Sequence, residues 1–161
     1  MQTGSAETDV VRAEVGVPCS PAEAFALFAL RMGSWWPREF TWSQDSLELF
    51  GLEPRAGGAC FEVGPYGFRC DWGRVLTWSP PQALTLCWQV GPDRAPEPDP
   101  SKASEVHVRI EPRDHRGSHV SVEHAGFERH GPGGNDYRAG MQKGWAYLLE
   151  RYAAHARADG C

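Results

Sequence analysis

Apolar and polar residues alternate in short runs through most of the chain, and in two stretches the spacing widens to that of a helix. Val10–Val17 alternates with period two toward its end and predicts a strand. Ser20-Pro21-Ala22-Glu23 then carries a helix start. Serine can cap, proline suits the first helical position, and glutamate three residues after the cap completes a capping box. Phe25, Phe28 and Met32 follow at helical spacing, and Gly33 ends the predicted helix. Residues 34–46 are aromatic and irregular, with Trp35, Trp36, Pro37, Phe40 and Trp42.

A series of strands is expected next. Leu47–Leu52 is short, and Ala59–Val63 and Phe68–Trp78 flank Gly64-Pro65-Tyr66-Gly67, a hairpin turn signal. Ala83–Val90 follows Ser79-Pro80-Pro81. Residues 91–103 form a proline-rich loop, expected to be mobile. Glu105–Glu111 and Ser118–Ala125 alternate cleanly and are joined by a polar turn at 112–117. After the glycine-rich stretch Glu128–Gly134, a long helix is predicted from Asp136 to Arg157. Its apolar stripe is Met141, Trp145, Leu148 and Tyr152. At about 1.5 Å per residue it reaches about 30 Å, enough to cross a sheet.

Strands joined by short turns favour an antiparallel sheet, and one face of such a sheet needs cover. The long helix is the only element large enough to supply it. The expected class is α+β, a curved antiparallel sheet wrapped around the C-terminal helix. A space between sheet and helix is a natural place for a ligand. The 161 residues suit a single domain, here 10–158, with flexible tails at 1–9 and 159–161.

Composition narrows the classes. A net charge of −5 offers no broad surface for phosphates, so nucleic-acid binding is not expected. No 18-residue apolar run exists and the first residues lack a signal-peptide pattern, so no membrane span and a cytoplasmic location are expected. Five cysteines without a Cys-x-x-Cys pair argue against a zinc site. Reduced thiols suit a cytoplasmic setting, with a Cys60–Cys70 disulfide across the hairpin as the alternative. No nucleophile elbow, phosphate loop or His-Glu-x-x-His motif appears, so neither cofactor nor metal is expected.

Seven Trp, seven Phe and four Tyr must fill a core or line a cavity. The residues predicted to line a cavity are Trp35, Trp36, Phe61, Leu86, Trp88, Val122, His124, Phe127, Met141, Trp145 and Leu148. His124 shares a strand face with Val120 and Val122 and should point inward. There it either orients a ligand or moves a proton, or it is a core histidine bonded to a backbone carbonyl. Trp72 is ambiguous, because its face also carries Arg74 and Leu76. Glu62, Arg69 and Asp71 form either a polar cavity end or, as charged strand residues more often do, a solvated face. His107 and His119 should face solvent across from each other, a weak metal pair without a third ligand. Gly140 and Gly144 within the long helix suggest close backbone packing.

Six segments together carry a resemblance. They are Ser20–Phe25, Ser34-Trp35-Trp36-Pro37, Gly73–Pro81, Leu84–Trp88, Val122–Phe127 and Gly144–Leu149. In this order the chain resembles the START/Bet v 1-like superfamily, and within it the family named for the C-terminal domain of the Hsp90 ATPase activator. The resemblance spans about residues 10 to 155 and implies a helix-grip fold. That superfold hosts lipid binders, cyclases, hydrolases and co-chaperone domains. Only nine residues precede the first strand, where the eukaryotic activator has a further domain, so Hsp90 stimulation is not the first reading. The expected function is non-enzymatic binding of a small apolar or aromatic molecule. The alternatives are a cyclase- or hydrolase-like enzyme on a polyketide-like or aromatic substrate with His124 as acid or base, and a chaperone-partner domain. A homodimer is open to any of the three.

Overall fold

The structure, a computed structural model, describes residues 9–114 and 117–159. Residues 1–8, 115, 116, 160 and 161, which hold most of both expected tails and His115, lie outside that description. Seven strands form one antiparallel sheet in the order β1-β7-β6-β5-β4-β3-β2. They are β1 (Val11–Val17), β2 (Leu49–Leu52), β3 (Ala59–Val63), β4 (Arg69–Ser79), β5 (Ala83–Trp88), β6 (Ser104–Pro112) and β7 (Ser118–Ala125). Two helices accompany them, α1 (Pro21–Phe25) and α2 (Gly134–Asp159).

Local chemistry sets both ends of this scaffold. The capping box closes as its residues dictate: the Glu23 amide donates to Ser20 Oγ at 3.2 Å, and the Ser20 amide donates to Glu23 Oε1 at 3.1 Å. The helix that follows is shorter than its apolar spacing predicts. After Phe25 it widens into a π-helical turn, Ala26–Leu30, and then tightens into a 3₁₀ turn, Met32–Ser34. The change of winding still buries Phe28, Met32, Trp35 and Trp36. Gly33 passes against β2, where a Cβ would meet the Phe50 carbonyl oxygen at 2.7 Å.

Val120, Val122 and His124 all point inward and are fully buried, as their alternation predicts. A bulge resolves the ambiguity in β4. Cys60 pairs with Gly73 while Phe61 pairs with Asp71, leaving Trp72 as the extra residue. The alternation shifts there, so Trp72 and Val75 are buried while Arg74 and Leu76 face out. Gly73 makes the bulge close enough to pack, since a Cβ would stand 2.4 Å from the Cys87 carbonyl oxygen.

Helix α2 lies along β1 and buries Trp145, Leu148, Leu149, Tyr152, Ala153 and Ala156. Gln142 shields the sheet's free edge: its Nε2 donates to the Arg12 carbonyl at 2.8 Å, and its Oε1 accepts from the Arg12 amide at 3.4 Å. Gly140 and Gly144 do not mark a close approach. A Cβ at Gly140 meets nothing within 4 Å, and one at Gly144 meets only the Met141 thioether end at 3.8 Å. Among the described residues no helix is long and apolar enough to cross a membrane.

Candidate functional site

The interior between sheet and α2 is built from rings. At one end Phe28, Trp35 and Tyr152 meet with centroids 5.1–5.4 Å apart. Every polar atom on those rings is used. Trp35 Nε1 donates to the Leu27 carbonyl at 3.0 Å, and the Tyr152 hydroxyl donates to the Ala24 carbonyl at 2.8 Å. Toward β2–β5 the rings of Trp36, Phe50 and Trp72 lie nearly parallel. Phe50 stacks on Trp72 at 5.1 Å with an interplanar angle of 7°, and Trp36 stacks on Phe50 at 4.9 Å with an angle of 27°. Trp88 stands against this stack, 5.6 Å from Trp72, and Trp145 closes it from the helix, 6.2 Å from Trp36.

Polar atoms within this second group are left over. Trp36 and Trp72 are 6% and 3% exposed, and among the described residues neither indole N–H has an acceptor. The third such buried atom is another donor, Arg138 Nε in the early turns of α2. A buried donor without a partner costs about 1–3 kcal/mol, so native proteins rarely leave one.

His124 joins the ring stack to a polar chain. Trp145 Nε1 donates to His124 Nδ1 at 3.0 Å. Ser104 Oγ lies 2.7 Å from His124 Nε2 and 2.8 Å from His130 Nε2. An indole nitrogen only donates, so the proton of neutral His124 sits on Nε2 and is given to Ser104. Burial holds the imidazole neutral, with the neighbouring His130 and His107 adding to the effect, and the pKa falls to about 3. His124 is therefore a core histidine, but its partners are side chains and not a backbone carbonyl. Both ring nitrogens are hydrogen-bonded inside the core. The companion chain runs from Trp88 Nε1, which donates to the Tyr137 hydroxyl at 2.6 Å, and from Tyr137 to the Val90 carbonyl at 2.8 Å. Burial raises the Tyr137 phenol to about 12.

The loops above these rings are tied down. Glu62 is fully buried, contrary to a solvated strand face, because its carboxylate accepts the amides of Trp42 at 3.1 Å and Ser43 at 2.6 Å. Trp42 Nε1 in turn donates to the Arg94 carbonyl in the proline-rich loop at 2.8 Å. That loop, expected to be mobile, is further pinned by Gln89, whose Nε2 donates to the Glu97 carbonyl at 3.0 Å.

The predicted lining residues divide accordingly. Trp36, Trp88, His124, Phe127 and Trp145 come together, with Met141 half-buried at the edge of the core. Trp35 belongs to the other, closed end, and Leu86, Val122 and Leu148 are ordinary core packing. Phe61 lies apart. It is half-buried on the opposite strand face from Cys60 and Glu62, with the Arg69 guanidinium 4.7 Å from its ring centre. Stacked rings stand between the sheet and α2, where a cavity was expected. Two open grooves lie elsewhere, one at Gly16–Pro18 beside Arg113 and Gly117, the other between α2 and β1, and of the predicted lining residues only Val122 borders either.

Other candidates are corrected by the geometry. Cys60, Cys70 and Cys87 are free thiols, so no Cys60–Cys70 bond forms, whereas Cys19, expected reduced, is disulfide-bonded. His107 and His119 do not oppose each other. His107 pairs across the sheet with Glu123 and His119 with Glu111, and their rings meet Glu105 and Glu14. Among the described residues no cluster of ligands suits a metal. Phe50, Ser104, His130 and Tyr137 were not among the predicted residues. Ser104 and His124 are neighbours only through the register Val106–His124, which places Ser104 diagonally across on the same face.

Comparison with known proteins agrees with this architecture. A family model described as "Activator of Hsp90 ATPase homolog 1-like protein" matches residues 19–156. Among solved structures, the anthrahydroquino-γ-pyrone synthase Txn09 is 28% identical with a TM-score of 0.63, covering 90% of this chain and 95% of its own. The self-sacrificing resistance protein CalC from Micromonospora echinospora is 24% identical with a TM-score of 0.67, covering 93% and 95%. Mll3558 from Rhizobium loti is 24% identical with a TM-score of 0.60, covering 90% and 94%. No curated protein matches the chain by sequence.

Proposed function

The chain belongs to the activator of Hsp90 ATPase homolog 1-like family, and on that footing we propose that it binds a flat aromatic small molecule that carries oxygen acceptors. The observation that carries this reading is the pair of buried indole N–H groups at Trp36 and Trp72, which have no acceptor among the described residues. A finished core would not leave two donors unpaired in adjacent stacked rings. A flat ligand stacks on the same parallel rings, and its oxygens satisfy both donors. Trp36 reaches the stack from the irregular segment between α1 and β2, whereas Trp72 and Trp88 stand on β4 and β5. The name of Txn09 concerns a fused, oxygen-bearing aromatic, the same chemical class.

A cyclase-like activity is the second reading, supported by the 28% identity to that synthase.

The test is direct. Native mass spectrometry of protein purified from its own host is expected to retain a small molecule. Titration with anthraquinone-2-sulfonate is expected to quench tryptophan fluorescence in a saturable way. Empty spectra, no quenching and no thermal shift across a library of flat aromatics and lipids would sink the reading.

A further inference from the structure

The two unpaired indoles are closed off from solvent. Trp36 and Trp72 are 6% and 3% exposed, and Trp36 lies on Phe50 with centroids 4.9 Å apart, which leaves no room for a further ring. A molecule reaches these donors only if some element moves. Phe50, Trp72 and Trp88 stand on strands of one hydrogen-bonded sheet, and α2 is a single helix of 26 residues. Residues 36–43, which carry Trp36, have no such ladder and hold one 3₁₀ turn, Arg38–Phe40.

This segment is held down at its far end by a small set of contacts. The Glu62 carboxylate accepts the amides of Trp42 and Ser43, and Trp42 Nε1 donates to the Arg94 carbonyl. Glu62 is the cross-strand partner of Phe50, and both side chains are buried on one face, so the anchor stands beside the stack. A buried charge needs partners. Among the described residues no Lys, Arg or His forms an ion pair with Glu62, and the two loop amides take that role. The middle of the segment meets α2 at the surface, where Phe40 and Tyr147 are 43% and 37% exposed and the Tyr147 hydroxyl donates to Glu39.

The backbone around the anchor is strained. Three non-glycine residues of the described chain have left-handed backbone: Gln44, Tyr66 and Arg94, with φ of 49°, 61° and 67°. All three sit at this corner. Gln44 follows Ser43, Arg94 carries the accepting carbonyl, and Tyr66 belongs to the turn where a Cβ at Gly64 would run into the Ser43 hydroxyl. Such residues persist where surrounding contacts hold them, and they cluster at clamps and switches. Releasing the anchor frees Gln44 and Arg94 to relax, which offsets part of the cost of opening.

We infer that residues 36–43 are a lid over the ring stack and that Glu62 is its latch. The lid opens when Glu62 releases the two amides and Trp42 releases Arg94, admits the flat molecule, and closes behind it. Glu62 touches no ligand and is a positioning residue. The inference rests on the binding reading above and adds the route by which that site is reached.

The test uses the full chain. Stopped-flow fluorescence follows anthraquinone-2-sulfonate onto the unaltered protein and three variants. Glu62→Gln keeps the shape but cannot accept at both ends, and Trp42→Phe lacks the bond to Arg94. Each is expected to speed association and dissociation about tenfold, the worth of one hydrogen bond. The two rates rise together, so Kd stays nearly unchanged. Tyr152→Phe loses a hydrogen bond at the closed end and is expected to leave both rates as they are. Without ligand, amide hydrogen exchange at Ser43 is expected to quicken about tenfold in Trp42→Phe, because the two contacts open as one unit. Unchanged exchange there overturns the latch whatever binds. Saturable binding whose rates are the same in both latch variants overturns the lid and leaves the binding reading standing. Equal acceleration in Tyr152→Phe marks general loosening and also overturns the lid. Faster dissociation alone marks a lost ligand contact and does the same. No binding to the unaltered protein overturns both readings.

Discussion

Trp35 and Trp36 are adjacent in the chain and both buried, yet they belong to two different kinds of interior. Trp35 sits with Phe28 and Tyr152, where the indole and phenol hydrogens are given to carbonyls of the first helical turns at 3.0 and 2.8 Å. That end is closed, and its hydrogen bonds tie α2 to the start of the chain. Trp36 sits in the stack with Phe50 and Trp72, where rings are packed as well but two hydrogens have no acceptor among the described residues. Apolar burial alone would not separate these regions. Accounting for each polar atom does: at one end every ring donor is satisfied, and at the other two indole hydrogens are left over.

The largest expected effect falls on the closed end. Trp35→Ala removes a fully buried indole that packs on Phe28 of the π-helical turn and Tyr152 of α2, and it takes away the donor to the Leu27 carbonyl. A loss of about 3–5 kcal/mol is expected from denaturant unfolding, the usual range for an aromatic residue deleted from a packed core. A loss below about 1 kcal/mol would mean that this end is not the rigid scaffold.

The chain of His124 adds a second, smaller signature. Its pKa is about 3 when folded, against an ordinary 6.5. The unfolded chain therefore binds more protons between those values, and stability falls as pH drops through that window. His130 is lowered too and acts with the same sign. Between pH 6.5 and 5, before carboxylates titrate, thermal or urea unfolding should lose roughly 1 kcal/mol per pH unit from His124 alone. His124→Phe should flatten this slope. A slope unchanged in that variant would show that the imidazole is not neutral in the folded protein.

Much of the fold was legible because period and punctuation agreed. The edges of Ala59–Val63 and Ser118–Ala125 fall where alternation places them, and the capping box at Ser20 starts a helix as its residues require. What stayed hidden depended on partners distant in sequence. The π-helical turn after Phe25 obeys packing against β2, which apolar spacing does not encode. Glu62 reads as a surface charge until the Trp42 and Ser43 amides arrive to bond it. Trp72 looks ambiguous because a bulge changes the strand's phase, and a bulge leaves only a glycine as its trace. Of the site, the tryptophans and His124 could be picked out by type and face. Ser104 and His130 could not, because one register pair and one loop bring them together.

The smallest expected effect is the most discriminating one. Trp36→Phe keeps a ring in the stack and deletes the N–H that has no acceptor. The smaller ring loses some buried area and leaves a gap, which destabilises. Removing an unpaired donor returns about 1–3 kcal/mol, which opposes that loss. The two terms nearly cancel, so unfolding stability should change by no more than about 1 kcal/mol, while affinity for anthraquinone-2-sulfonate should fall. Trp35→Phe makes a similar gap but also strands the Leu27 carbonyl, so both terms there have the same sign and the loss should be clearly larger. Equal losses in the two variants would mean that the Trp36 N–H is bonded after all, and the distinction between the two ends of the interior would disappear.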